Sequence, residues 1–133
     1  FYCYLQGWFM YYYYRFSNPE YKKSDKDFFA YNQMSMASVA EKMAEARVIL
    51  DIQHPKQTGL TMRTIETLGL EKKIITTNDD IKNYDFYNPN NVLVIDRDDP
   101  VIKESFINSP YQPIDIRLYY KYSIEGWIED VFV

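Results

Sequence analysis

Apolar and polar positions alternate along the chain in blocks, and most blocks have the period of a strand or a helix. Three continuous apolar runs, RVILDI, KIITT and NVLVID, predict strands covered on both faces, as in a parallel sheet. Near the start, FYCYLQ and FFAYN predict two further strands. The aromatic segment between these two predicts a helix, and the charged stretch SNPEYKKSDKD predicts a loop.

Two helices are predicted between the strands in the middle of the chain. The first begins near Ser35 or Ser38 and ends by Ala46, with a capping-box pattern at its start. The second covers residues 58–68. Its spacing predicts a buried face made of Leu60, Ile65 and Leu68. Gly69 is predicted to close this helix in the left-handed conformation.

Polar residues mark helix starts in the second half of the chain. Asn78 is a predicted N-cap, and Asp99 before Pro100 predicts another helix start. A helix is also predicted for the segment PIDIRLYYKY. Ser123 is predicted to cap IEGWIEDVF, whose apolar residues recur at i, i+3, i+4 and i+7. Strands alternating with helices predict an α/β fold of three layers, Rossmann-like, around a mainly parallel sheet of four to five strands.

Composition narrows the class of protein. The 133 residues are 47% hydrophobic and 18% aromatic, so we expect residues 1–133 to form a single domain with a real core. A net charge of -4 and a pI near 5.0 argue against a nucleic-acid partner, because such partners require a basic face.

The amino-terminal run FYCYLQGWFMYYYY is too short and too interrupted for a signal peptide or a membrane span. Its single cysteine, Cys3, suits a reducing compartment and is expected to be a small buried hydrophobe. These features predict a cytoplasmic protein. Because the chain starts at Phe1 without Met, we expect a piece of something larger.

The segment QTGLTMR carries the main candidate chemistry. Gly59 allows close backbone approach to a ligand, and the hydroxyls of Thr58 and Thr61 stand at a helix start, where N–H groups attract anions. Arg63 follows within about a turn and can form a bidentate fork on phosphate. Glu66, one turn further, suits a ribose diol.

A plainer interpretation of the same residues is open. Thr58 can simply cap the helix and Gly59 can simply relieve a turn. Arg63 and Glu66 at i, i+3 can be a solvated surface pair worth about 0.2–0.5 kcal/mol. The segment has neither a Walker loop nor a GxGxxG fingerprint.

Two stretches, ARVILDIQHPKQTGLTMRTIETLGLEKKIITTN and YDFYNPNNVLVID, resemble the C-terminal, donor-binding half of GT-B glycosyltransferases. The likeness is nearest to bacterial lipopolysaccharide and capsular polysaccharide biosynthesis proteins. The resemblance implies half of a GT-B fold and a nucleotide-sugar donor as substrate, with no cofactor required. It also implies a separate N-terminal acceptor domain, missing here, and peripheral membrane association of the full-length protein.

The same resemblance implies roles for individual residues. Glu66 matches the second of two glutamates in the family's retaining members and would hold the ribose. The first falls on Thr58, which is not acidic, so the sugar contacts differ from that pattern. Gly59, Thr61 and Arg63 would hold the diphosphate. The residues Thr76, Thr77 and Asn78 would line the floor of the cleft.

Other polar residues have two interpretations each. His54, just past a strand end, suits a general acid or base, or only loop packing. Asp96 and Asp98 imitate the metal-binding pair of the GT-A fold, although Asp99 with Pro100 explains the cluster as a helix cap. We therefore predict no metal site and keep a GT-A-like enzyme as a weaker alternative.

The aromatic residues support a different class of function. The run from Tyr11 to Tyr14 could stack on sugars, but covering the sheet or facing an absent domain is the expected role. If a partner domain is missing, Trp127, Ile128 and Phe132 should leave an apolar patch exposed. A non-enzymatic, Rossmann-like module that binds a nucleotide or a protein through its aromatic surface is the main alternative to an enzyme.

Overall fold

The computed structural model describes residues 3–132, and the chain separates into two compact units, Phe1–Ala40 and Glu41–Val133. The boundary falls within one helix, α2 (Met36–Glu45). Phe1 and Tyr2, the start of the first predicted strand, lie outside the described residues.

The first unit is a small parallel ladder beside an aromatic helix. Strand β1 (Cys3–Tyr4) pairs in parallel with β2 (Phe29–Ala30), and the helix α1 (Trp8–Ser17) lies between them in the chain. Two 3-10 helices, Pro19–Lys23 and Lys26–Phe28, fill the loop that the sequence predicted.

Aromatic rings hold this first unit together. Tyr11 is buried, and its hydroxyl donates to the Ser24 carbonyl at 2.9 Å. Tyr21 stacks on Tyr14 on one side and on Phe29 on the other, at ring-centroid distances of 5.2 and 6.2 Å. Stacked and edge-on aromatic pairs add specific attraction to the area they bury, so a unit with few aliphatic residues still has a core. Cys3 is only partly buried.

The second unit is built on a parallel sheet of three strands in the order β3 (Val48–Asp51), β4 (Lys73–Thr76), β5 (Val92–Val94). Its helices, in chain order, are α3 (Met62–Gly69), the 3-10 helix Asp79–Asn83, α4 (Glu104–Asn108), α5 (Ile116–Lys121) and α6 (Ile124–Phe132). The sequence located all three strands because their apolar runs are strong.

Successive residues of the central strand β4 belong to two different core clusters. Ile74 packs with Ile81, Phe86 and Val92. Its neighbour Ile75 packs instead with Ile95 and Phe106. Since consecutive side chains of a strand point to opposite faces, the sheet of this unit is covered on both faces. All four residues of β4 are buried, Lys73 and Thr76 included, as expected for the central strand of a sheet that is covered on both faces.

The predicted sheet of four to five strands is wrong for the described residues, which form separate parallel sheets of two and three strands. No ladder among residues 3–132 joins β1 or β2 to β3. Strand β3 is therefore an edge strand, and Leu50 and Ile52 remain about half exposed. The apolar character of these residues predicts that both faces of β3 are covered, which is not the case for Leu50 and Ile52.

Two local predictions about helix ends are also corrected. The helix expected at Asp99 and Pro100 begins only at Glu104. The left-handed residue after α3 is Glu71, with φ 52°, not Gly69. The helix ends in a Schellman motif, in which the Lys72 N–H donates to the Thr67 carbonyl, so the left-handed position falls two residues later than predicted.

The most buried residues of α3 also differ from the prediction. Thr64 and Thr67 are the most buried, while Leu60 and Leu68 pack partly against the core and Ile65 is half-buried. Burial of a threonine is possible here because each hydroxyl has a partner. The Thr67 hydroxyl donates to the Arg63 carbonyl at 2.7 Å.

A buried lysine ties β4 to α4. The Lys73 ammonium donates to the Phe106 carbonyl, to the Ser109 carbonyl at 3.0 Å and to the Ser109 hydroxyl at 2.7 Å. It also lies 4.0 Å from the centre of the Phe106 ring. Burial lowers the pKa of Lys73 below 10.5, and the positive charge of Arg47 lowers that pKa further. These contacts join the start of β4 to the C-terminal end of α4.

Replacing Lys73 with methionine keeps the apolar stem but removes the donors to Phe106 and Ser109. We expect a loss of about 1–3 kcal/mol in the free energy of unfolding, because the substitution removes the hydrogen bonds of a charged donor that link β4 to the end of α4. Since the folded-state pKa of Lys73 lies below its unfolded value, the wild-type protein should gain stability as pH rises toward 10.5. Lys73→Met should lose that gain, as measured by urea unfolding from neutral pH upward.

The exposed Lys42 offers the matched control for this experiment. Lys42→Met should leave both the stability and its slope with pH as they are in the wild-type protein. An unchanged slope in Lys73→Met would contradict the prediction, because the difference between the two proteins isolates the one titrating group.

No helix within residues 3–132 combines the length and the apolar character that crossing a bilayer requires.

Candidate functional site

The candidate site lies where the three parallel strands of the second unit end. In the sheet register Asp51 is opposite Thr76, and Thr76 is opposite Val94, so the carboxyl ends of the three strands are level. The segments that follow these ends contain most of the residues predicted as a site. Parallel sheets bind ligands beyond this edge, because loops and helix N-termini converge there.

A buried carboxylate organises the start of α3. Asp51, 8% exposed, accepts a hydrogen bond from the Thr61 hydroxyl at 2.6 Å and from the Thr64 hydroxyl at 3.3 Å. Thr61 is the N-cap of α3, and its side-chain oxygen accepts from the Thr64 N–H at 3.2 Å. Thr61 therefore joins the end of β3 to the start of α3, and its hydroxyl proton is engaged by Asp51.

Side-chain amides hold the loop from 52 to 60 to the end of β4 and to itself. Asn78 donates to the Gly59 carbonyl at 2.9 Å, and the Gln53 side chain donates to the Gln57 carbonyl at 2.6 Å. Gly59 has a φ of 77°, in the left-handed region that glycine adopts most easily. This conformation agrees with the plainer interpretation, in which Gly59 relieves a turn.

Thr77 and Asn78 lie at the end of β4 as predicted. The Thr77 hydroxyl accepts a hydrogen bond from the Gln53 N–H at 3.1 Å. Asn78 is buried and caps the following 3-10 helix, accepting from the Asp80 N–H at 3.1 Å. Both side chains thus fix the segments at this edge through contacts with their own chain.

Arg97 brings a positive charge to the same edge. Its guanidinium donates to the Gln53 carbonyl and lies 3.4 Å from the Thr77 hydroxyl. One side chain that follows β5 therefore reaches the segments that follow β3 and β4. Arg97 itself is exposed, so its position suits a group that meets an incoming anion.

Arg63 and Glu66 form an ion pair on α3, with 3.0 Å between Arg63 Nη1 and Glu66 Oε2. About a third of each side chain is exposed, at 38% and 32%. The same guanidinium nitrogen also contacts the sulfur of Met43. This partial exposure keeps Glu66 out of the apolar core. Paired at i, i+3, the two residues have a geometry that fits both a surface pair and a ligand-contacting pair.

His54 and Thr58 are both exposed in the loop before α3. The His54 Nδ1 accepts a hydrogen bond from the Lys56 N–H at 3.2 Å, and its carbonyl accepts from the Gln57 N–H at 2.9 Å. The histidine therefore forms a turn within its own loop. The helix starts at Met62, so Thr58 lies four residues before it and does not cap it.

Asp96 forms a turn with its own chain. Its Oδ1 accepts from the Asp98 N–H at 2.8 Å and from the Asp99 N–H at 3.0 Å. These bonds, that of Asp99 foremost, lower the pKa of the Asp96 carboxyl. No helix begins at Asp99, because the chain forms a turn at Asp96 and the next helix, α4, starts at Glu104. Within the described residues, no three potential metal ligands of the His, Cys, Asp and Glu types come together.

Three residues that lie at this edge were not predicted from the sequence: Asp51, Gln53 and Arg97. An available signal was the acid at the end of RVILD, since a charge inside an apolar strand needs a buried partner. In the sequence Arg97 is only the residue between Asp96 and Asp98. Its role depends on a contact with Gln53, 44 residues away in the chain, which no local pattern reveals.

Two open recesses of the second unit lie elsewhere. One of about 520 Å³ follows the edge of β5 and includes Phe106. Another, of about 390 Å³, is lined by residues that include Arg47, Lys72 and Tyr111. The candidate site is therefore defined by its converging polar side chains and not by the volume of a cavity.

No protein-family model, no curated protein and no solved structure matches this chain. The class of the protein that the structure defines is a mixed α/β protein with small parallel sheets.

Proposed function

We propose that this chain is the nucleotide-sugar-binding half of a GT-B-type glycosyltransferase that acts in bacterial lipopolysaccharide or capsule assembly. The observation that carries the proposal is the position of the Arg63–Glu66 pair on α3, the helix that starts directly beyond the carboxyl edge of the parallel sheet. The Rossmann-like arrangement of a covered parallel sheet supports it. The donor is a substrate, and no cofactor is required.

In this proposal Glu66 accepts hydrogen bonds from the ribose hydroxyls. A carboxylate has about four lone-pair positions, so the bond to Arg63 leaves acceptor capacity for a diol. The partial exposure of Glu66 leaves it within reach of a ligand. This is the role that the resemblance implies for the residue.

Positive charge for the diphosphate comes from Arg63 and Arg97. The Asp51 carboxylate already accepts the Thr61 hydroxyl, and its negative charge opposes an anion placed on that hydroxyl. We therefore assign Thr61 to holding α3 in position, with Gly59 providing close backbone approach. Arg97, which follows β5, reaches the segments that follow β3 and β4 and is the added diphosphate contact.

The test is calorimetry of the chain with UDP-, GDP- and CMP-sugars. The wild-type chain is expected to bind one nucleotide class, and Glu66→Ala should weaken that binding about 10- to 100-fold, the value of one or two hydrogen bonds to a charged group. Glu45→Ala, at an exposed glutamate of the same unit, is the matched control and should bind as the wild-type chain does.

Ligand variants separate the two proposed contacts. Removing the ribose 2′-hydroxyl from the nucleotide should weaken binding to the wild-type chain and leave binding to Glu66→Ala nearly unchanged. Arg97→Gln should reduce the advantage of a nucleoside diphosphate over the monophosphate. Absence of binding to every donor, or equal affinity of Glu66→Ala and the wild-type chain, would exclude the proposed function.

A further inference from the structure

Helix α1 of the first unit exposes five aromatic side chains on one side. Their exposed fractions range from 47% to 85%. The residues of this aromatic stripe are Trp8, Phe9, Tyr12, Tyr13 and Phe16. At about 100° per residue they cover a continuous arc of the helix surface. The opposite side faces the ring stack of Tyr14, Tyr21 and Phe29, where Tyr11 is buried.

The composition of this stripe is unusual for a surface exposed to water. Monomeric proteins expose single apolar residues often, but a contiguous apolar patch indicates a binding surface. The stripe contains Trp, Tyr and Phe but no aliphatic residue. Trp and Tyr have an apolar ring and a polar group, which favours the boundary between lipid headgroups and acyl chains.

Basic residues border the stripe. An open recess of about 560 Å³ is lined by Tyr12 of the stripe and by four cations, together with Tyr11, Ser24 and Asp25. The cations are Arg15, Lys22, Lys23 and Lys26. The Arg15 side chain lies along the surface of α1, because its guanidinium donates to the Tyr11 hydroxyl one turn earlier at 2.9 Å. Aromatic and basic side chains therefore share one surface.

The distribution of charge along the sequence agrees with this placement. Residues 3–40 contain four basic and three acidic residues, a net charge of +1, whereas residues 41–133 contain 11 basic and 16 acidic residues, a net charge of -5. The first unit is therefore weakly basic in a chain that is acidic overall, and its four basic residues are the ones that line the recess beside the stripe.

Helix α6 of the second unit provides the contrast. It also exposes apolar residues, among them Ile124, Trp127 and Phe132, as expected for an apolar patch at this end of the chain. However, this helix carries Glu125, Glu129 and Asp130 and no basic residue. An anionic surface would repel it. The two helices thus differ in charge while both expose a tryptophan.

We propose that the aromatic stripe of α1 and its basic border form a docking surface for an anionic phospholipid membrane. The helix has ten residues, about 15 Å at 1.5 Å per residue, so it lies in the plane of the interface and does not span the bilayer. The rings enter the headgroup boundary, and Lys22, Lys23 and Lys26 remain among the phosphate groups. This proposal is independent of the donor site.

The test uses the complete chain and sedimentation with vesicles of phosphatidylcholine alone or mixed with phosphatidylglycerol. Binding is expected to the mixed vesicles only and to weaken with salt. Trp8→Ser with Phe16→Ser should reduce the partition coefficient about tenfold or more, because two rings no longer enter the interface. Lys22→Gln, Lys23→Gln and Lys26→Gln together should also reduce it about tenfold or more.

The two tryptophans supply a position-specific readout. Trp127→Phe leaves Trp8 as the single fluorophore, and Trp8→Phe leaves Trp127. Brominated lipids should quench Trp8 and leave Trp127 unaffected. Trp127→Ser with Phe132→Ser is the matched control on α6 and should bind vesicles as the wild-type chain does. Phe16→Ser alone, at the most exposed ring, serves if the double variant loses its circular dichroism spectrum.

Several results would overturn the proposal. Equal binding to neutral vesicles, quenching of Trp127 in place of Trp8, or unchanged binding by the stripe variants would each contradict it. Self-association that depends on Phe16, in a chain that does not bind vesicles, would instead assign the stripe to a contact between protein chains. Loss of nucleotide-sugar binding would have no bearing on this result, because the two assays read different units.

Discussion

Replacing Ile81 with alanine is expected to lower the free energy of unfolding by about 2–5 kcal/mol. Ile81 is 0% exposed and is among the largest fully buried side chains of the described residues. It packs with Ile74, Phe86 and Val92 below the sheet, so its removal loses apolar burial and leaves a cavity. Urea unfolding followed by circular dichroism measures the effect.

Ile116 gives the matched control, because this isoleucine is 75% exposed at the start of α5. Ile116→Ala should change the free energy of unfolding by no more than about 0.5 kcal/mol, the usual range for a surface substitution. A loss below about 1 kcal/mol in Ile81→Ala would mean that this cluster is not the core of the second unit, since a core isoleucine costs more than that. Equal effects of the two substitutions would lead to the same conclusion.

Replacing Asp51 with alanine is the second substitution with a large expected effect. The carboxylate accepts from Thr61 and Thr64, and its loss leaves two hydroxyls at the start of α3 without their acceptor. Hydrogen bonds to a charged group are worth about 1.5–3 kcal/mol each. We expect Asp51→Ala to lower the free energy of unfolding by about 3 kcal/mol, the low end for two such bonds, because the partly exposed Thr61 can rearrange. Thermal unfolding should show one cooperative transition at a lower temperature.

Asp51→Asn tests whether Asp51 stabilises the protein by accepting hydrogen bonds or only by packing. Its amide oxygen can still accept from one threonine, so it should recover part of the stability lost in Asp51→Ala. Asp79→Ala, at an exposed aspartate in the same unit, should have little effect. If Asp51→Ala is as stable as the wild-type chain, the carboxylate does not hold α3, and other contacts must position the helix.

The two substitutions also differ in what they predict for donor binding. Asp51→Ala removes the link between β3 and α3, the helix that carries Arg63 and Glu66, so it should weaken nucleotide-sugar binding at temperatures where the chain remains folded. Ile81 belongs to the core cluster below the sheet and not to the strand ends that form the candidate site. Ile81→Ala should therefore change nucleotide-sugar binding only in proportion to the fraction of the protein that remains folded.

Local chemistry explains why much of the fold was predictable. Asn78 and Ser123 were recognised as caps because a short polar side chain can reach the N–H groups two or three residues ahead in any protein. The strand β4 was predicted because Ile74 and Ile75 are consecutive β-branched residues in a short run with threonine on its C-terminal side. Both signals are contained within a few residues of chain.

The errors concern two turns whose form residue type does not decide and the number of strands in each sheet. Asp99 and Pro100 have the right chemistry for a helix start, but the chain forms a turn at Asp96 and the helix begins only at Glu104. The Schellman motif after α3 placed Glu71, not Gly69, in the left-handed conformation. The number of strands in each sheet depended on which ladders form, and the apolar run of β3 cannot indicate a missing neighbour.

The candidate site shows the same division. Gly59 and the cap at Asn78 were predicted from residue type, and their conformations agree. Asp51, Gln53 and Arg97 were not, because their contacts join segments that lie apart in the chain. A carboxylate inside an apolar run becomes part of a site only when a second segment brings hydroxyls to it.

The sequence by itself determined where most strands and helices lie, which residues cap several of them, and that the strands of the second unit run parallel. Period and capping depend on contacts within one or two turns of chain, so they can be read from residue order. Only the tertiary structure decided that Arg97 reaches the ends of β3 and β4, that α3 buries Thr64 and Thr67, and that α1 exposes its aromatic side. Those features depend on long-range packing, whose energy is shared among residues that the sequence keeps apart.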